Sequence, residues 1–179
     1  MRVLALLLAF LAGPAWAQAW KLDYGKSQIR YVIKQMNVPV EGGFRRFNTV
    51  ANFTPDKIEA GQFRVELDML SADTGSAEGD AESRRPVWFD TARFPRAVFA
   101  SKALRKLADG RYVAQGELSL KGQSRGLEVP FTLSRQAGGA WLAEGRFPLR
   151  RSDFGIGGGE WNDVVDDLAD VRFRLWLTP

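Results

Sequence analysis

The sequence predicts an all-β domain, an antiparallel sandwich or barrel, on three observations. About eight stretches alternate apolar and polar residues with a period of two, at hairpin spacing. Turn dipeptides such as Asp109-Gly110 and Gly138-Gly139 punctuate them. Helical periodicity is almost missing, and the one helix start that stands out is near Asp80.

The chain opens on a leader in form. Arg2 supplies a positive end, residues 3–12 a short apolar run, and Ala15-Trp16-Ala17 a small-x-small cleavage signal. The run is too short to span a bilayer. Residues 1–17 are therefore expected to be removed, leaving one domain over 18–179 that begins at Gln18. No cysteine occurs, so neither a lipid anchor on sulfur nor a disulfide is available. Such a chain is expected in the periplasm, held together by its core alone.

The strands follow in order. Residues 27–35 place Ile29, Tyr31 and Ile33 on one face. Residues 38–53 form a long run with Gly42-Gly43 inside it, which predicts a bulge or bend, and with Phe44, Phe47 and Phe53 after it. Residues 61–69 carry Phe63, Val65 and Leu67 inward, with Arg64, Glu66 and Asp68 outward. Then come 97–103, with Phe99, and 111–120, with Tyr112, Ala114, Gly116 and Leu118 on the inner register. Gly122-Gln123-Ser124 reads as a turn before 127–133, which presents Val129 and Phe131. Residues 141–149, with Ala143, Gly145 and Phe147, and 171–177, with Phe173, close the chain.

The longest interruption is 71–95, the size of a lid rather than of a tight turn. It carries Trp88, Phe89 and Phe94, large apolar surfaces that order themselves by burial. They plug one end of the fold as ordinary core or contact a ligand. The inner register leaves a parallel choice. A barrel of about eight strands is wide enough to be filled by side chains or to hold one small ligand. Ala114, Gly116, Ala143 and Gly145 leave room on a wall that is otherwise apolar and aromatic, with Tyr31 and Tyr112 as polar tips. Such a lumen selects a long hydrophobic guest with a small polar end. Alternatively, Phe rings fill the space above the small residues.

Other chemistries fare poorly. There is no His and no Cys, which removes Ser–His and Cys–His pairs and most zinc sites, so no catalytic residue, metal or cofactor is assigned. Ser119 and Lys121 share a face that points outward. Asp163, Asp166, Asp167 and Asp170 lack calcium-loop spacing and read as a solvated turn. The net charge of +4 is spread along the chain and does not indicate nucleic acid. Arginines flank many turns, and Arg84 and Arg85 are the candidates for an anionic headgroup should several converge at one mouth. The turn Arg151-Ser152-Asp153-Phe154-Gly155 reads as structural, fixed by Asp153, with Phe154 plugging or lining the barrel.

Taken together, these segments resemble the YceI-like family of polyisoprenoid-binding periplasmic proteins. The likeness rests on Trp20-Lys21-Leu22-Asp23, on Ser71-Ala72-Asp73-Thr74-Gly75 and on Phe89-Asp90 through Phe94-Pro95 with Phe99 and Ser101. It rests further on the hairpin 116–122 and, most sharply, on Arg151-Ser152-Asp153-Phe154-Gly155-Ile156-Gly157. The resemblance implies an eight-stranded, lipocalin-like antiparallel barrel with an internal apolar pore and a short helical lid. It implies an isoprenoid ligand, the tail of a quinone or of a prenyl phosphate, that is bound, stored or carried rather than transformed. The partners then expected are the lipid and a transient contact with a membrane or a membrane redox protein, the carrier being a monomer or homodimer. Where the family often has histidine, this chain has Glu82 and Lys121, so no histidine role carries over.

Overall fold

The computed structural model describes residues 19–179. The leader and the expected cleavage before Gln18 lie outside the described residues. Strands β1 (Ala19–Leu22), β2 (Gln28–Gln35), β3 (Val38–Phe44), β4 (Phe47–Asn52), β5 (Gln62–Asp68) and β6 (Ala72–Asp73) precede helix α1 (Ala77–Ser83). Strands β7 (Arg96–Lys106), β8 (Tyr112–Leu120), β9 (Gln123–Arg135), β10 (Trp141–Arg150) and β11 (Leu168–Thr178) follow. All pairings are antiparallel. β1 pairs with both β4 and β11, which closes the sheet into an eight-stranded barrel.

The eight staves arise because three of them are broken. β1 and β2 lie end to end against β11, β3 and β4 form the next stave, and β5 and β6 the third. Side chains stitch the breaks. Ser27 Oγ accepts from the Trp176 amide at 2.9 Å and donates to the Asp23 carbonyl at 2.7 Å. Ser71 Oγ accepts from the Arg46 amide at 2.9 Å and donates to the Asp68 carbonyl at 2.6 Å. Both hydroxyls thus replace ladder bonds that the interrupted backbones cannot make.

Several expectations are corrected here. Gly42-Gly43 makes no bulge: β2 and β3 stay in register through both residues. The glycine is needed because a Cβ at Gly42 would sit 2.4 Å from the Tyr31 ring. The irregularity lies instead in β7, between Ser101 and Ala103. β9 begins at Gln123, because Lys121 and Gly122, at φ 49° and 73°, complete the hairpin turn by themselves. The helix begins at Ala77, before Asp80, because Ser76 caps it, its Oγ accepting from the Gly79 amide at 3.0 Å.

One end of the barrel is solid. Trp20 stacks on Phe53 at 5.2 Å between ring centres, and its Nε1 donates to the Phe53 carbonyl at 3.0 Å. Phe63 meets Phe53 at 5.5 Å and Phe131 at 5.6 Å, and Tyr112 stacks on Phe131 at 5.5 Å. Phe47 and Phe53, expected on the pore wall, belong to this packed cluster, and Tyr112 covers it rather than tipping the pore. Their positions follow from β1, whose Trp20 closes the barrel floor above β4.

Candidate functional site: an apolar cavity under a helical lid

Above the floor the barrel is hollow. The cavity measures about 710 Å³, inside the range of roughly 300–1,000 Å³ usual for ligand pockets. The filled-core alternative does not describe this level of the barrel. The wall is built strand by strand. β2 contributes Ile29, Tyr31 and Ile33, and β5 contributes Phe63, Val65 and Leu67. Phe99 comes from β7, Ala114 and Leu118 from β8, and Val129 and Phe131 from β9. Ala143 and Phe147 come from β10 and Phe173 from β11. The lid adds Trp88 and Phe89, so both of those aromatics face the lumen and close it.

Gly116 and Gly145 do not open the pore in the way the sequence indicates. A Cβ at Gly116 would lie 2.3 Å from the Ala100 carbonyl oxygen and 2.8 Å from Phe99 Cζ. At Gly145 it would lie 2.3 Å from the Pro130 carbonyl oxygen and 2.6 Å from Phe173 Cζ. Each glycine is a seat for an aromatic ring on the neighbouring strand, and Gly42 seats Tyr31 in the same manner. A seated ring lies across the sheet and does not project into the lumen. Phe154 is corrected as well. It does not line the cavity but packs against Met69, Ala97, Leu120 and Ile156, which do.

The polar part of the wall is concentrated near the lid. Thr74, Ser76, Glu78, Glu82 and Ser83 come from the lid itself, and Arg30, Gln35 and Arg151 complete it. Arg84 and Arg85 are elsewhere: Arg84 Nη2 donates to the Leu70 carbonyl at 3.2 Å, and Arg85 pairs with Glu82 at 2.8 Å. Neither lines the cavity, because both leave the end of α1 toward solvent.

Arg151, not Asp153, organises the last long connection. Its guanidinium is buried, and Nε donates to the Asp166 carbonyl at 3.0 Å. Nη1 donates to the carbonyls of Ile156 (2.8 Å) and Gly157, and Nη2 to those of Val165 (2.7 Å) and Trp161 (3.3 Å). Asp153 stays exposed, and no carboxylate among the described residues pairs with Arg151. This one side chain positions Ile156, Trp161 and Val165, wall residues that the sequence reading missed. Trp161 in turn meets Trp88 of the lid at 5.1 Å. Leu127 and Leu149, which alternation places on the inner registers of β9 and β10, line the cavity as well.

The lid is tied down by carboxylates. Asp80 Oδ1 accepts from the Thr74 amide at 2.7 Å and from Thr74 Oγ1 at 2.9 Å, which hold its carboxyl below the usual range. Asp73 is lowered too, first by its hydrogen bond from Arg45. Beneath them the Tyr31 hydroxyl is pushed up to about 12, mainly by burial and then by Asp80 and Asp73. Two buried lid atoms, Glu82 Oε1 and Trp88 Nε1, have no hydrogen-bond partner.

The model of the YceI-like domain matches residues 20–177. The chain belongs to the YceI-like family. A UPF0312 protein of Yersinia pestis is 30% identical over 137 residues, 75% of this chain and 71% of its own length. Among solved structures, BcnA of Burkholderia cenocepacia superposes with a TM-score of 0.83 at 34% identity, covering 87% of this chain and 99% of its own. A polyisoprenoid-binding domain from Saccharophagus degradans, implicated in plant cell wall breakdown, shares the fold with a TM-score of 0.70 at 16% identity, covering 89% of this chain and 98% of that one.

Proposed function

We propose that this YceI-like protein is an exported, non-catalytic carrier that holds an isoprenoid lipid with its tail inside the barrel and its head beneath the lid. The observation that carries this reading is the cavity itself, apolar from the Phe63–Phe131 floor upward, with polar groups only near the lid. Burying a hydrocarbon there recovers about 0.8 kcal/mol per methylene taken from water. The polyisoprenoid-binding domain of Saccharophagus degradans, with the same fold, supports the same guest. The leader-like residues 1–17 support export to the periplasm.

The wall favours a neutral head, a quinone rather than a prenyl phosphate. Glu78 and Glu82 face the cavity, the hydrogen-bond donors of Arg151 are committed to carbonyls, and Arg30, the other arginine of the lining, is paired with Glu41. Organic extraction and mass spectrometry of protein purified from the periplasm tests the reading. An isoprenoid quinone in the extract supports it, and a lipid-free extract from correctly folded protein overturns it. Ala143→Phe, which places a ring in the lumen, should remain folded and lose the lipid.

A further inference from the structure

The hydrogen-bonded wall of the barrel is interrupted between β9 and β10. The β9–β10 ladder runs only from Trp141↔Arg135 to Gly145↔Phe131. Beyond it, β9 continues to Gln123 paired to β8 alone, and β10 continues to Arg150 paired to β11 alone. The two strands therefore part toward the lid end. Prolines mark the parting, Pro130 on β9 and Pro148 on β10, neither of which can donate to a ladder.

This gap has the marks of an edge kept unpaired. Exposed Arg125, Glu128, Arg146 and Arg150 flank it outside, and charge with proline is how sheets discourage an added strand. Its inner lips are apolar: Leu127 and Val129 on one side, Phe147 and Leu149 on the other, all part of the cavity wall. Its wide end is clasped. Lys121, in the β8–β9 turn, donates from Nζ to the Gly155 carbonyl at 2.6 Å and to the Val87 carbonyl of the lid at 3.2 Å. One ammonium thus ties the β9 side to the β10 side and to the lid.

We propose that the parting between β9 and β10 is a lateral portal for the apolar tail, with Lys121 as its clasp. The proposal rests on the carrier reading. A chain threaded end-first through a mouth must leave the bilayer before it is sheltered, exposing its length to water. A slot along the wall lets successive segments pass from bilayer to lumen with little of the tail wet at any moment. Charged outer lips and an apolar inner rim suit that passage.

The test exploits a chain without cysteine. Extending the ladder register past Gly145↔Phe131 sets Glu128 opposite Pro148, both exposed. Glu128→Cys with Pro148→Cys should staple the gap from outside without altering the lumen. Pro130→Thr with Pro148→Thr restores both donors and should zip the ladder where the staple does not form. Lys121→Met should release the clasp. Loading is followed as quenching of tryptophan fluorescence, Trp88 and Trp161 lining the cavity, on mixing with phosphatidylcholine vesicles that carry ubiquinone-10. Stapled or zipped protein is expected to load roughly tenfold more slowly or worse, to the same endpoint, and Lys121→Met to load faster. Reduction should restore the stapled rate. An unchanged rate in protein whose disulfide is verified by mass, or in the zipped variant, overturns the portal and leaves the carrier standing. Failure of the unmodified protein to load any quinone overturns the carrier reading and the portal with it.

Discussion

The ring of Phe173 lies over the backbone of Gly145, its partner across the β10–β11 ladder, with Cζ 2.6 Å from where a Cβ would stand. The same seat holds Phe99 at Gly116 and Tyr31 at Gly42. A hollow barrel made of large aromatics is possible because these rings lie along the wall.

Gly145→Ala should therefore cost both stability and volume. The new methyl meets the ring and, at 2.3 Å, the Pro130 carbonyl oxygen, which cannot swing aside. Overpacking of this kind costs about 1–3 kcal/mol. The displaced ring should enter the lumen and lower the lipid recovered per mole of protein. Adding Phe173→Leu should restore part of the stability. Thermal unfolding and lipid content of both variants check this, and an unchanged melting temperature in Gly145→Ala would contradict the seat.

These seats show where sequence reading succeeds and where it stops. Period-two alternation places Ile29, Val65, Val129 and Phe147 on the wall because it reports which face a side chain takes, and the structure agrees. It does not report whether a glycine on that face leaves space or receives a ring, since that depends on the neighbouring strand. It is silent also on Trp161 and Val165, which reach the wall from an irregular connection. Their placement depends on Arg151, whose motif is legible while its partners, spread over Ile156 to Asp166, are not.

Arg151→Lys should be severe although it keeps the charge. An ammonium offers three donors on a flexible stem, against five in a planar fork. Buried carbonyls among those of Ile156, Gly157, Trp161, Val165 and Asp166 would be left without donors. Each buried orphan costs about 1–3 kcal/mol. A loss of roughly 3 kcal/mol or more in chemical unfolding is expected, together with weaker hydrogen-exchange protection over 156–166. A neutral outcome would mean that the connection is held by its apolar contacts.

Tyr31 sets an alkaline limit. Its folded value of about 12 stands above the ordinary 10.0, so the neutral hydroxyl is the form the fold favours. The stability it lends is fully present below pH 10 and is lost as pH rises through 12. Unfolding curves at pH 8 and pH 11.5 should diverge in the native protein and less so in Tyr31→Phe. Equal divergence in both would assign the loss to other groups.

Asp80 and Asp73 set the acid limit, and they set it for the lid. Both carboxyls are lowered in the folded state, Asp80 by the Thr74 amide and hydroxyl and Asp73 by Arg45. The sign is opposite to that of Tyr31. Their contribution is complete above the unfolded carboxyl value of about 3.9 and disappears as pH falls through the depressed folded values. The closed lid also carries Glu82 Oε1 and Trp88 Nε1 buried without partners, which opening would hydrate. The lid is then the first part to yield. Below about pH 4, exchange protection over 74–83 should fall while that of β10 and β11 persists, and bound quinone should leave faster. Asp80→Asn, which keeps an acceptor for Thr74 but no charge, should flatten this dependence. Loss of protection across lid and barrel together at one pH would show that the lid has no separate acid transition.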